Sequence, residues 1–184
     1  QVVFKYFSTS AAALDAFTAG EVAGVSQITL DILPQALAEP ALSVYTSRLP
    51  QMGYVLFNLN NPEVAFLQEP KIRRALMLGL NRQWLINAFL QGQAIPTDGP
   101  ILPGSWAHYD GVEHIPYDAD AAIALLKEEG YTLPADGGAV RAKEGQSLAF
   151  SLVHPDDAIH TQMAQSIQAN WAAIGVKVDL IAVP

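Results

Sequence analysis

His154, Asp156, Asp157 and His160 are the densest set of potential metal ligands in the sequence. Two imidazoles and two carboxylates could hold zinc or a similar divalent ion. On a helix, Asp156 and His160 share a face through their spacing of four. A structural role explains the stretch more simply. Pro155 suits the first position of a helix, and Asp156 and Asp157 then sit where the helix dipole favours negative charge. A metal site also demands a fixed ligand geometry, so no metal is expected. A metal-dependent hydrolase using His154, Asp157 and His160 is kept as the enzymatic alternative. His108, Glu113 and His114 lack H-E-x-x-H spacing and read as solvated loop residues. The run from Gly24 to Ile28 begins like a nucleophile elbow around Ser26 but lacks the second glycine. The chain has no cysteine, which excludes disulfides and a thiolate nucleophile. No phosphate- or dinucleotide-binding glycine loop occurs. No catalytic residue and no cofactor is expected.

Aromatic and basic residues give a second set of candidates. Trp84 and Trp171 fall on apolar helical stripes and read as core. Trp106 lies in a stretch rich in proline and glycine, 93–117, that is too long for an ordinary connection. Its indole either covers the core or lines a ligand cleft. Arg73, Arg74 and Arg82 could clamp a carboxylate bidentately, but adjacent arginines cannot share one helix face. A structural role is favoured for most of them.

The elements that must position these groups read as β-α-β-α-β-β-α-α-loop-α-β-α-β. Strands are expected at 2–7, 22–28, 43–47, 53–59, 148–153 and 176–180. Helices follow Ser8–Ser10, Asp31, Pro70, Asn81, Asp118 and Pro155. Interleaved helices and strands argue for a layered α/β or α+β domain. No linker divides residues 1–184, so a single domain is expected. Hydrophobic residues make up 51% of the chain and charged residues 15%, which excludes a disordered chain. No apolar run approaches the roughly 18 residues needed to cross a bilayer. The net charge of −8 carries no basic stripe, so nucleic acid is not an expected partner. No signal peptide precedes the first strand-like segment, and the strand-like ends suggest an excised piece.

Several motifs add a resemblance. Phe57-Asn58, then Ile72 to Leu76 with Arg73, Arg74 and Ala75, then Asn81-Arg82, Gly92 and Pro100 to Pro103 follow one another in order. Phe17 to Ala23 reads F-T-A-G-E-V-A, with Ala23 where an aspartate is usual. Tyr117-Asp118 leads to Leu125-Leu126 and Glu129-Gly130-Tyr131, with Ala119 in place of a proline. Ile174-Gly175-Val176-Lys177-Val178 ends the series. This arrangement resembles the extracellular solute-binding proteins that include the oligopeptide and dipeptide receptors of ABC importers.

The resemblance implies a two-lobed, type II periplasmic-binding-protein-like fold, with this chain forming most of the second lobe. It implies hinge closure on a ligand, most simply a peptide, and docking of the closed receptor on a membrane ABC permease. The location would be periplasmic or extracytoplasmic. Half of the ligand site would come from this chain: Ser26, Gln27, Asn58 and Trp106, with Tyr54 and His154. Asn58 could equally bond local backbone. The remaining lobe would supply the other half. A solute-sensing domain of a transcriptional regulator is the alternative within the same resemblance.

Overall fold

The computed structural model describes residues 1–47 and 49–184, which form two compact units, Gln1–Gln51 and Met52–Pro184. In the first unit, helix α1 (Ser10–Thr18) starts where Thr9 Oγ1 accepts the Ala12 N–H at 3.1 Å. Helix α2 (Leu33–Ala38) carries Pro34 in its first turn, where no backbone donor is missed. Leu14, Ile32 and Ala36 form a small core, flanked by Ile28, Leu42 and Val44.

The second unit holds the main core. A 3-10 turn (Pro62–Gln68) runs into α3 (Pro70–Leu78), followed by α4 (Arg82–Leu90). After the irregular 93–117 segment, Asp118 caps α5 (Ala119–Glu128) by accepting the Ala121 N–H at 2.8 Å. A short hairpin pairs β1 (Ala142–Lys143) with β2 (Gln146–Ser147), turning through Glu144 and Gly145, both at positive φ. Strand β3 (Ala149–Pro155), helix α6 (Ala158–Ala173) and strand β4 (Lys177–Val183) then form a βαβ unit. The strands run parallel in register from Ala149↔Lys177 to Pro155↔Val183. A helix is the usual crossover for parallel neighbours.

Ile72, Ala75 and Leu76 of α3 meet Ala122 and Leu126 of α5, with Leu148, Trp171, Ile174, Val176 and Val178 completing the core. Phe57, Phe66, Phe150 and Trp171 form a chain of ring contacts 5.5–6.4 Å apart. Trp171 is buried, and its indole N–H donates to the Leu76 carbonyl at 2.9 Å. That bond removes the penalty of an unpaired donor in the core.

Four expected strands are absent. Residues 2–7, 22–28, 43–47 and 53–59 form no ladder among the described residues. A strand exists only with a hydrogen-bonded neighbour, and these segments find none here. Residues 53–59 keep the alternation of a strand, with Val55 and Phe57 against the core and Tyr54 and Leu56 exposed. Pro155 closes β3 instead of opening a helix, and Asp157 is the cap of α6. Trp84, expected in the core, is half exposed, its ring edge-on to Phe89 at 5.7 Å. The buried residues of α4 are Leu85 and Ile86. One residue earlier lies about 100° around the helix, off that face.

Candidate functional site

Helix α4 is placed by Asn81. Its Oδ1 accepts the Trp84 N–H at 3.0 Å, and its own N–H donates to Asn170 Oδ1 on α6 at 2.8 Å. The next residue, Arg82, therefore leaves a helix start that is tied to the core. Its Nη1 donates to the Thr97 carbonyl at 2.7 Å. Its Nη2 donates to Asp98 Oδ1 at 2.8 Å and to the Ile115 carbonyl at 2.6 Å. Asp98 Oδ2 lies 2.7 Å from His114 Nδ1, and the Ile115 N–H approaches Asp98 Oδ1 at 3.4 Å. The Arg82 and Asp98 side chains are only 17% and 16% exposed. Burial pushes the Asp98 carboxyl up, but hydrogen bonds from His114, Arg82 and the Ile115 amide outweigh it and hold it below the usual aspartate range. The expected structural role of the arginines fits this and two further contacts. Arg73 donates to the Leu67 and Gln68 carbonyls, and Arg74 forms a two-bond pair with Glu113.

The six candidate ligand residues are spread over both units. Ser26 and Gln27 are exposed in the first unit, in irregular backbone. Tyr54 is exposed in the unpaired 53–59 segment. Asn58 is exposed there too, and its Oδ1 accepts the Asn60 N–H at 3.2 Å, the local backbone role that its sequence left open. Trp106 is 98% exposed, which eliminates its alternative role as a cover for the core. His154 is 8% exposed near the end of β3, with Nδ1 2.8 Å from the Pro155 carbonyl. Among the described residues no hydrogen bond or ring contact joins Tyr54, Asn58, Trp106 and His154 to one another, or Ser26 to Gln27.

The His154–His160 stretch separates into unrelated roles. His154 packs within the sheet. Asp157 Oδ1 accepts the His160 N–H at 3.0 Å as the cap of α6, and its Oδ2 lies 2.6 Å from His160 Nδ1. These bonds, the backbone one first, hold Asp157 below the usual carboxylate range. Among the described residues no three His, Cys, Asp or Glu side chains converge as a metal-binding group. One cleft of about 380 Å³ lies over Lys71, Arg73, Arg74, Met77 and Ile115. A second, of about 260 Å³, lies within the proline-rich loop between Pro96 and His114. None of the six candidate residues lines either cleft. Sequence reading missed Asp98. An aspartate that answers an arginine across a long loop leaves no periodic signal.

Comparison with known proteins fixes the family. The bacterial extracellular solute-binding proteins, family 5 Middle, match residues 1–184. The chain belongs to the family 5 solute-binding proteins. This family 5 chain is 30% identical over 133 residues to the dipeptide-binding protein of Escherichia coli, covering 71% of the chain and 22% of that protein. It is 33% identical over 155 residues to the nickel-binding periplasmic protein of Escherichia coli, covering 84% of the chain and 29% of that protein. The crystal structure of a nickel ABC transporter protein from Bacillus halodurans superimposes with a TM-score of 0.78 at 25% identity, covering 97% of the chain and 36% of that structure. The chain thus spans about a quarter of the length of the curated relatives it matches. Its layered α/β architecture is that of part of one lobe of a type II periplasmic-binding-protein-like fold. No helix among the described residues is long and apolar enough to cross a membrane.

Proposed function

We propose that this chain is part of the substrate-binding component of an ABC importer, acting outside the cytoplasm, with peptides as the most fitting ligands. The observation that carries this reading is the family match along all of 1–184, with relatives named for dipeptide and nickel binding. No catalytic role is proposed for any residue. Ligand enters between two lobes, bridges them and shifts the population toward a closed receptor. The closed form then docks on the membrane permease. Peptide main-chain groups would be held largely by hydrogen bonds, and varied side chains by wet pockets.

Trp106 is the strongest ligand-facing candidate on this chain, because a fully exposed indole on a braced loop is a ready stacking and packing surface. Tyr54 and Asn58 in the second unit, and Ser26 and Gln27 in the first, are exposed polar or aromatic groups proposed as ligand contacts, each from its own unit. His154 is proposed at the margin of those in the second unit, fixing the end of β3.

Native mass spectrometry of the intact protein, purified gently from its own host, tests this. A spread of co-purifying masses fitting mixed short peptides is the expected result. A single sharp mass would keep the receptor reading and replace peptide with that solute. Protein that carries no ligand and gains none from a peptide mixture would overturn the peptide assignment.

A further inference from the structure

The chain enters and leaves residues 99–114 at nearly one point, and one side chain holds both ends. Arg82 donates to the Thr97 carbonyl and Asp98 Oδ1 on the way in, and to the Ile115 carbonyl on the way out. Asp98 repeats the link through His114 and the Ile115 amide. Between these ends the loop folds on itself. His108 Nδ1 lies 3.1 Å from the Ile101 carbonyl, and a cleft of about 260 Å³ remains inside, bounded by residues such as Pro100, Tyr109 and Val112. Closed, self-packed loops of this kind are compact modules rather than slack connections. Trp106 stands on this module, exposed to solvent.

We propose that Arg82 is the positioning residue of this loop: by clasping both ends of 99–114 it sets where Trp106 stands, without itself touching ligand. The inference rests on Trp106 being ligand-facing, as argued above. The acceptors are shared between Nη1 and Nη2, a spread that a planar guanidinium covers and a single ammonium nitrogen does not. The clasp is also referenced to the core, because Asn81 bonds α4 to Asn170 of α6. An indole on a loop with free ends would have to be ordered at each binding event, and a pre-ordered one avoids that entropy loss.

The test uses the intact protein without ligand, labelled with fluorotryptophan, with Trp106→Phe assigning one fluorine resonance. Amide hydrogen exchange of 99–114 is followed alongside. Arg82→Met is expected to shift or broaden the Trp106 resonance and speed loop exchange by about tenfold or more, while the Trp171 resonance stays in place. Arg82→Lys should recover little of this. Asp98→Asn, which keeps a neutral acceptor for Arg82, should leave both readouts near their wild-type values. If Arg82→Met does not fold, Asp98→Ala should move the same two readouts in the same direction by less. Unchanged Trp106 resonance and loop exchange would overturn the proposal. Equal displacement of the Trp106 and Trp171 resonances would also overturn it, by showing a general role in the fold. Because no ligand is present, this outcome is independent of the mass-spectrometric test of the receptor reading.

Discussion

Trp171 and Asp98 illustrate how differently single residues can be read. Trp171 sits on an apolar helical stripe, and that stripe alone placed it in the core. Trp171→Ala removes a fully buried indole and leaves the Leu76 carbonyl without its donor. A loss of about 3–5 kcal/mol in urea unfolding is expected, with Trp84→Ala costing much less because that ring is half exposed. Asp98 carried no such pattern. Its folded-state carboxyl is held low, so the clasp's stabilisation is complete above the ordinary aspartate value of about 3.9. It is lost as pH falls through the lowered folded value. Unfolding titrations below about pH 4 should therefore show a steeper acid loss in the wild-type protein than in Asp98→Asn. Equal slopes would remove Asp98 from the account of acid stability. Trp106 lay between the two: composition marked it as unusual, but only the fold decided that it does not cover the core.

At the scale of elements, helices were more legible than strands, of which the last two expected are present and the first four are not. Four helices have a side-chain start signal, Thr9, Asn81, Asp118 and Asp157 each accepting a backbone N–H at a first turn, and α3 starts at Pro70 without one. These are bonds over three residues, so sequence contains them. Asn81→Ala should cost about 1 kcal/mol through the lost cap on α4, read as a lowered denaturation midpoint. A strand depends on a neighbour that sequence does not name. The last two expected strands pair through α6, and the first four meet no ladder among the described residues. The Gly175 turn between α6 and β4 has both local and tertiary causes. Its φ is +87°, and an added Cβ would stand 2.7 Å from Arg141 Cγ. Arg141 is buried, and its Nε donates to the Ile174 carbonyl at the end of α6, at 2.8 Å. Gly175→Ala should cost more than about 1 kcal/mol, measured against the wild-type protein in denaturant. A neutral result would show that Arg141 can move aside.

For the molecule as a whole, the exposed apolar surface is the main observation. Val2, Val3, Phe4 and Tyr6 are exposed in the first unit. In the second unit one face of the β3–β4 sheet carries Val153, Ile181 and Val183 open to solvent. Parallel sheets are ordinarily covered on both faces, and open strand edges pair with other chains. The 184-residue chain studied alone is therefore expected to bind a hydrophobic dye and to associate as concentration rises. Light scattering coupled to size exclusion would check this, and a clean monomer at high concentration would count against it.

The sequence by itself determined most of the helix positions, most of the buried stripes, the βαβ ending and the motif order that carries the family. All of these are encoded within a turn or a short run of residues, where spacing, caps and period act locally. Only the tertiary structure decided that Asp98 answers Arg82, that Trp106 stands in solvent, and that His154 and His160 part company. Those outcomes depend on which distant segments meet. Chain folding sets those distances, and no local period records them.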